Sequence, residues 1–124
     1  MSDAEATDSQ RPLQELQSLL RKFAADRDWE QFHTPKNLAT ALTVEAAELL
    51  EHFQWLTAEQ SASLSESQRE EVRMELADIF LYLLRLADKL HIDLVAAGRD
   101  KIAINAQKYP AEKARGSHKK YTEL

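Results

Sequence analysis

Residues 38–56 read LATALTVEAAELLEHFQWL, and residues 72–90 read VRMELADIFLYLLRLADKL. In both stretches large apolar side chains recur every three or four residues, which is the period of an α-helix with one buried face. Each stretch also carries two acids three residues apart, Glu45 with Glu48 and Glu75 with Asp78. This spacing puts both acids of a pair on one helix face, about a turn apart. Two such helices packed side by side would bring four carboxylates together.

The rest of the chain also favours helices, because the 124 residues include only two glycines and three prolines. We predict an all-α fold, an up-and-down bundle of four helices at about 13–26, 35–56, 68–90 and 94–108. Three helix starts have typical N-terminal signals. Thr34 precedes Pro35, Ser65 is followed three residues later by a glutamine, and Asp93 precedes the fourth helix.

The domain boundaries follow from polarity. Residues 1–12 have almost no large apolar side chain, and we expect them to be disordered. Residues 13–110 form the helical domain, and residues 111–124 form a polar tail with several lysines.

Composition excludes several classes of protein. Sixteen basic against 21 acidic residues give a net charge of −5, so no basic field attracts a nucleic acid polymer. There is no cysteine, which excludes disulfides and thiolate metal sites. No apolar run approaches the roughly 20 residues of a membrane span, and the N-terminus does not resemble a signal peptide. We expect a cytoplasmic protein with neither a membrane nor a nucleic acid polymer as partner.

The spacing of the acids is by itself uninformative, because it occurs about as often as chance predicts in so acidic a chain. Their placement says more. Glu45 falls within the first apolar stripe and Glu48 at its edge, whereas Glu51 faces further out; that stripe is Leu38, Leu42, Ala46, Leu49, Phe53 and Leu56. In the second stretch Glu75, Asp78 and Tyr82 flank a stripe of Val72, Leu76, Ile79, Phe80, Leu83, Ala87 and Leu90. A metal or anion site and ion pairing at the bundle edge both remain open.

If the site holds a metal, the ligand type restricts which one. Four carboxylates are hard oxygen donors, which suit Mg²⁺, with Mn²⁺ as a possible substitute, rather than zinc. A di-iron bundle would need Glu-x-x-His on two helices. Leu49 stands three residues before His52, and His91 lies at the far end of its helix, so this alternative is disfavoured.

Several further segments accompany the two acidic motifs, which are 26 residues apart. They are RDWEQFH at 27–33, FQW at 53–55, DIFLYL at 78–83, KYP at 108–110 and KKYTEL at 119–124. In this combination residues 13–124 resemble the MazG-like, all-α nucleoside triphosphate pyrophosphohydrolases, and specifically their dCTP pyrophosphatase branch. Many members of the wider family have a glutamate directly before the first motif, where this chain has Val44. We interpret Val44 as a mark of the branch.

The resemblance implies Mg²⁺-dependent hydrolysis of a (deoxy)nucleoside triphosphate between the α and β phosphates, which yields a monophosphate and pyrophosphate. It implies nucleotide pool cleansing with dCTP or a modified dCTP as substrate. It also implies a homotetramer, a dimer of dimers whose neighbouring subunits help to build each site. A broader pyrophosphohydrolase acting on other triphosphates such as dUTP is one alternative. A non-catalytic helical adaptor is another.

The resemblance also implies residue roles. Glu45, Glu48, Glu75 and Asp78 would hold Mg²⁺. We assign Glu48 to take the proton of the attacking water, because it lies at the edge of its apolar stripe. The expected base-pocket residues are Trp29, His33, Trp55 and Tyr82, since aromatic faces stack on bases. Phe32 either joins them or packs in the core. The expected phosphate-contacting residues are Asn105, Lys108 and Tyr109, and Lys101 on the same helix is a further candidate.

Overall fold

The computed structural model describes residues 11–124, and these residues contain helices and turns but no strand. The elements are α1 (Arg11–Asp26), α2 (Pro35–Glu51), α3 (Ala58–Ser61), α4 (Glu66–Lys89), α5 (Leu94–Lys108), α6 (Ala111–Ala114) and a 3₁₀ turn (Tyr121–Glu123). The predicted all-α class is confirmed. The predicted disorder of residues 1–12 falls mostly outside the described residues, and the first of these, Arg11, is already helical, two residues before the expected start of α1.

The three predicted helix starts are confirmed by their capping hydrogen bonds. The Thr34 hydroxyl accepts the Asn37 N–H (3.2 Å), and the Asp93 carboxylate accepts the Ala96 N–H (3.0 Å). Ser65 and Gln68 form a reciprocal capping box, with bonds of 3.2 and 3.0 Å. These bonds satisfy backbone donors that a helix start leaves without partners.

The end of the second helix differs from prediction. α2 stops at Glu51 rather than near Leu56, and hydrogen bonds of the turn type, such as Leu56 N–H to the Phe53 carbonyl (2.9 Å), follow it. The short helix α3, which the sequence analysis did not predict, comes next and has its own capping box at Thr57. Apolar periodicity continues across this turn, which explains why the pattern overestimated the length of α2.

The described chain divides into two compact units, one ending at His91 and the other spanning Ile92–Leu124. In the first unit α4 packs mainly on α2 and less extensively on α1. The buried apolar residues of this core are Ala24, Leu38, Val72, Leu84 and Ala87. The packing of α2 on α4 positions the acidic motifs.

The second unit contains α5, α6 and the 3₁₀ turn, and it shows that the polar tail is folded. The Tyr121 ring makes an edge contact with the Tyr109 ring, with centroids 6.1 Å apart. Lys108 Nζ lies 5.0 Å from the centroid of the same Tyr121 ring. The end of the chain therefore returns to the end of α5. The four-helix bundle arrangement remains a prediction.

Part of the predicted core stripe on α4 is wrong for this protomer. Leu76, Phe80, Leu83 and Leu90 are 50%, 38%, 37% and 48% exposed. The buried side chains of α4 are instead Val72, Leu84, Arg85 and Ala87. α4 is apolar over more of its circumference than its neighbours in this unit cover, so periodicity alone could not identify the buried face.

One ion pair connects α1 with α4. Arg21 donates two hydrogen bonds to the Asp88 carboxylate, of 2.7 Å from Nε and 2.6 Å from a terminal nitrogen. The Arg21 hydrogen bonds lower the pKa of Asp88. Two-pronged arginine–carboxylate bonds are among the stronger polar contacts in proteins.

None of the helices within residues 11–124 is both long and apolar enough to cross a membrane.

We expect Asp88→Asn to lower the free energy of unfolding by about 1 kcal/mol at pH 7, a modest value because Arg21 is half exposed. Because the folded state lowers the pKa of Asp88, the pair stabilises above the ordinary aspartate pKa of about 4 and is lost as pH falls through the lowered value. Urea denaturation at pH 7 and at pH 3 measures this difference. Asp26→Asn, in the exposed Lys22–Asp26 pair, is the control and should change stability by less than about 0.5 kcal/mol. Equal losses in the two variants would contradict the prediction.

Candidate active site

The packing of α2 on α4 brings three acids together. Single carboxylate oxygens of Glu45, Glu48 and Glu75 lie within 4.8 Å of one another, and all three side chains are partly buried. Glu45 and Glu48 come from α2 and Glu75 comes from α4. The two motifs are therefore neighbours in space, as expected from their placement beside the apolar stripes.

The electrostatics of these acids are unfavourable without a cation. One oxygen of Glu45 and one oxygen of Glu75 are buried and have no hydrogen-bond partner. The pKa of Glu45 is raised to about 7, mainly by burial and in addition by the adjacent Glu48 and Glu75 carboxyls. Buried polar atoms without partners cost free energy. An oxygen-preferring cation would satisfy both oxygens and offset the repulsion, so these residues fit a divalent metal.

Asp78, the fourth predicted metal ligand, is placed differently. It is exposed, it is not among the three acids that lie within 4.8 Å, and it lines an adjacent cavity. Its charge nevertheless contributes to the raised pKa of Glu45. The structure therefore brings three predicted ligands together and puts Asp78 in the wall of the cavity.

The cavity has a volume of about 230 Å³ and lies between the end of α1, the following loop and α4. Its polar and aromatic wall is formed by Trp29, His33, Asp78, Tyr82 and Arg85, and its apolar wall by Leu20, Phe23 and Leu81. An apolar, aromatic pocket with a few polar groups is the usual form of a small-molecule site. Three of the four predicted base-pocket residues meet here.

The loop between α1 and α2 positions the aromatic residues. Asp28 adopts a positive φ of 54°, and the Trp29 N–H donates to the Ala24 carbonyl (2.9 Å), so the chain turns sharply after α1. The Trp29 ring then makes edge contacts with Phe23 and His33, with centroids 5.6 and 6.1 Å apart. The pocket wall is therefore continuous with the end of α1.

Sequence analysis missed Arg85 and Glu30. Arg85 is only 5% exposed and donates a hydrogen bond from Nε to His33 Nδ1 (3.2 Å). A terminal nitrogen of Arg85 and the ammonium of Lys89 bind the two oxygens of Glu30, and these bonds lower the pKa of Glu30. The sequence did contain a signal, namely a charged residue inside the apolar run 83–86. An arginine buried in such a run requires partners, so its position indicates an ion pair or a hydrogen-bonded group.

Two aromatic residues lie elsewhere. Trp55 is 87% exposed, follows α2 in a turn, and does not line the cavity. Phe32 is 58% exposed, which is inconsistent with a core role. The predicted phosphate-contacting residues belong to the second unit and are all exposed: Lys101, Asn105, Lys108 and Tyr109.

Comparison with known proteins places these features in a family. Residues 40–124 match the model of the MazG-like family. The human protein dCTP pyrophosphatase 1 is 46% identical over 114 residues, which cover 90% of this chain and 67% of that protein. The protein of the same name from Bos taurus is 43% identical over 118 residues, covering 94% and 70%.

A solved structure agrees with these relatives. The crystal structure of a pyrophosphatase from Archaeoglobus fulgidus matches with a TM-score of 0.75 and 41% identity, covering 79% of this chain and 92% of that one. Both the sequence and the fold are therefore shared with pyrophosphatases over most of the chain. The chain belongs to the MazG-like family and is a nucleotide pyrophosphohydrolase.

Proposed function

We propose that this enzyme hydrolyses dCTP or a modified dCTP between the α and β phosphates, with Mg²⁺, and thereby cleanses the deoxynucleotide pool. The observation that carries the proposal is the group of Glu45, Glu48 and Glu75 beside an aromatic cavity. Relatives named dCTP pyrophosphatase 1 support the choice of nucleotide.

Glu45, Glu48 and Glu75 would hold the cation, with Asp78 completing the set from the cavity side. When bound, the cation supplies positive charge for the phosphate oxygens and makes a nearby water more acidic. Glu48 is the acid we assign to accept the proton of the attacking water. Among the three clustered acids, only Glu45 and Glu75 have a buried carboxylate oxygen without a partner, so Glu48 is the one best able to exchange protons with water.

The cavity fits a nucleobase. Trp29 and Tyr82 offer aromatic faces on which a base can stack, and His33 adds a polar ring atom. Because Asp78 lies on the same wall, a base in this cavity would leave the attached phosphates beside the acids. Lys101, Asn105, Lys108 and Tyr109 are proposed to contact phosphate, on the basis of the family resemblance and of the two lysine charges.

We also propose a homotetramer, a dimer of dimers. An apolar row is exposed in the protomer and consists of Leu76, Phe80 and Leu83 on α4 and of Leu90 directly after it. Exposed apolar patches of this kind mark interaction surfaces. The Trp55 side chain is also exposed in the protomer. We propose that it enters the base pocket of a neighbouring subunit.

A broader pyrophosphohydrolase acting on dUTP and other triphosphates is the second candidate, because an aromatic stacking pocket accepts any base. The adaptor alternative is not supported, since the relatives and the structural neighbour are pyrophosphatases.

We expect Glu48→Gln to reduce kcat about 100-fold or more, since it removes a proton acceptor while preserving shape. Glu51→Gln, one turn further along α2 and exposed, is the matched control and should retain activity. Phosphorus NMR of the products measures both the rate and the bond cleaved. Full activity of Glu48→Gln would exclude Glu48 as the base. Release of orthophosphate and a diphosphate would contradict α–β cleavage.

The same assay with a panel of nucleoside triphosphates tests the substrate. We expect dCTP or a 5-substituted dCTP to give the highest kcat/KM. Similar values across pyrimidines and purines would favour the broader enzyme.

We expect Glu45→Gln to stabilise the cation-free protein at pH 8 while weakening Mg²⁺ binding. The folded state raises the pKa of Glu45 to about 7, so it retains a proton that the unfolded chain has lost, and stability falls as pH rises from the ordinary glutamate value through 7. Glutamine removes this penalty. The pKa shift corresponds to about 3 kcal/mol at pH 8, of which we expect about 1–2 kcal/mol because solvent screens the partly exposed carboxylate, and little of it is present at pH 5. Thermal unfolding in EDTA at both pH values, with calorimetric Mg²⁺ titration, measures the two effects.

Glu51→Gln is again the control and should change neither quantity. A stability gain for Glu45→Gln that is equal at pH 5 and pH 8, or unchanged Mg²⁺ affinity, would contradict the assignment.

We expect Trp29→Ala to raise KM about tenfold, because base stacking is worth about 1–3 kcal/mol. Trp55→Ala should raise KM similarly if the side chain reaches a neighbouring pocket. Steady-state kinetics combined with light scattering measures KM and the oligomeric state of each variant. An unchanged KM for a tetrameric Trp55→Ala protein would exclude that role.

A further inference from the structure

We propose that Arg85 is a positioning residue that holds His33 as the neutral imidazole with its proton on Nε2. The observation is the hydrogen bond from Arg85 Nε to His33 Nδ1, at 3.2 Å, in the wall of the cavity. That His33 then contacts a nucleobase rests on the proposed function. The protonation pattern of His33 does not depend on the proposed function.

The protonation pattern follows from the donors available. Guanidinium carries donors only and stays protonated, so the His33 nitrogen facing it must be an acceptor. A neutral imidazole has one donor and one acceptor, and its proton must then be on Nε2. Burial lowers the pKa of His33, and the charge of Arg85 lowers it further, so the ring stays neutral at pH 7.

Arg85 is itself held in place. It is 5% exposed, one terminal nitrogen binds Glu30, and the other lies 3.6 Å from Asp88. Glu30 is held in turn by Lys89. A planar guanidinium with carboxylates at both terminal nitrogens has little freedom to rotate, so Nε is fixed toward His33.

As a consequence, His33 offers the pocket a hydrogen-bond donor and no acceptor. His33 has only the Nε2–H left for a bound molecule, so it pairs with an acceptor atom, either a carbonyl oxygen or an unprotonated ring nitrogen. An ammonium could keep the charge and the Glu30 bond, but it has no Nε–H in the same plane. Arg85 therefore acts on specificity through His33, without contacting the substrate.

The first test is the nitrogen-15 NMR spectrum of the imidazole side chains in the full-length wild-type protein, with His33→Gln to assign the signal. We expect an unprotonated Nδ1 and a protonated Nε2 for His33. In Arg85→Lys we expect the signal to become an average of both tautomers. The control is Lys22→Gln, which removes an exposed positive charge on α1 that pairs with Asp26 and not with Arg85 or its partners, so its spectrum should match the wild type.

A protonated Nδ1 in the wild type overturns the proposal, even if Arg85→Lys fails to fold. An unchanged His33 signal in a folded Arg85→Lys protein overturns it too, and so does the loss of the wild-type pattern in Lys22→Gln.

The second test is kinetic. We expect Arg85→Lys to raise KM about five- to tenfold with kcat within about twofold, as for an interaction lost equally in the ground and transition states. Loss of kcat with unchanged KM would overturn the positioning role. If none of the proposed substrates is hydrolysed while the NMR results are as expected, the proposed function fails and the positioning of His33 by Arg85 stands.

Discussion

Repulsion among carboxylates at the α2–α4 contact is the constraint on which the site depends. The helix pair that provides most of the packing in the first unit also buries one oxygen of Glu45 and one of Glu75 without partners. Such a contact is stable only because apolar neighbours, including Leu38 and Val72, offset its cost. The same repulsion would favour the cation proposed above, which would offset the stability that the carboxylates cost.

Further along α4, a buried charge is stabilised by partners from the protein itself. Arg85 is buried as well, but it donates hydrogen bonds to Glu30 and His33 and has the Asp88 carboxylate 3.6 Å away. These contacts connect the loop after α1 to α4. One helix therefore carries an unsatisfied acidic site at Glu75 and a satisfied basic one at Arg85. The cavity lies along the same helix, lined by Asp78, Tyr82 and Arg85.

The exposed apolar side chains have a common physical origin. α4 is apolar on more sides than α1 and α2 cover, so Phe80 and Leu83 remain accessible in the protomer. Trp55 is more exposed still. Burying these surfaces against further copies would recover hydrophobic free energy at roughly 25 cal/mol per Å². The proposed tetramer would supply that burial.

The sequence by itself determined the four longer helices, their caps at Thr34, Ser65 and Asp93, and the three acids that meet, because these depend on local hydrogen bonds and on apolar periodicity. It did not determine which side of α4 is buried, where α2 ends, or that Asp78 lines the cavity. Nor did it identify Arg85, whose role depends on partners 52 and 55 residues away. Those features were decided by tertiary structure, because burial and long-range pairing are properties of what packs against a residue and not of its local pattern.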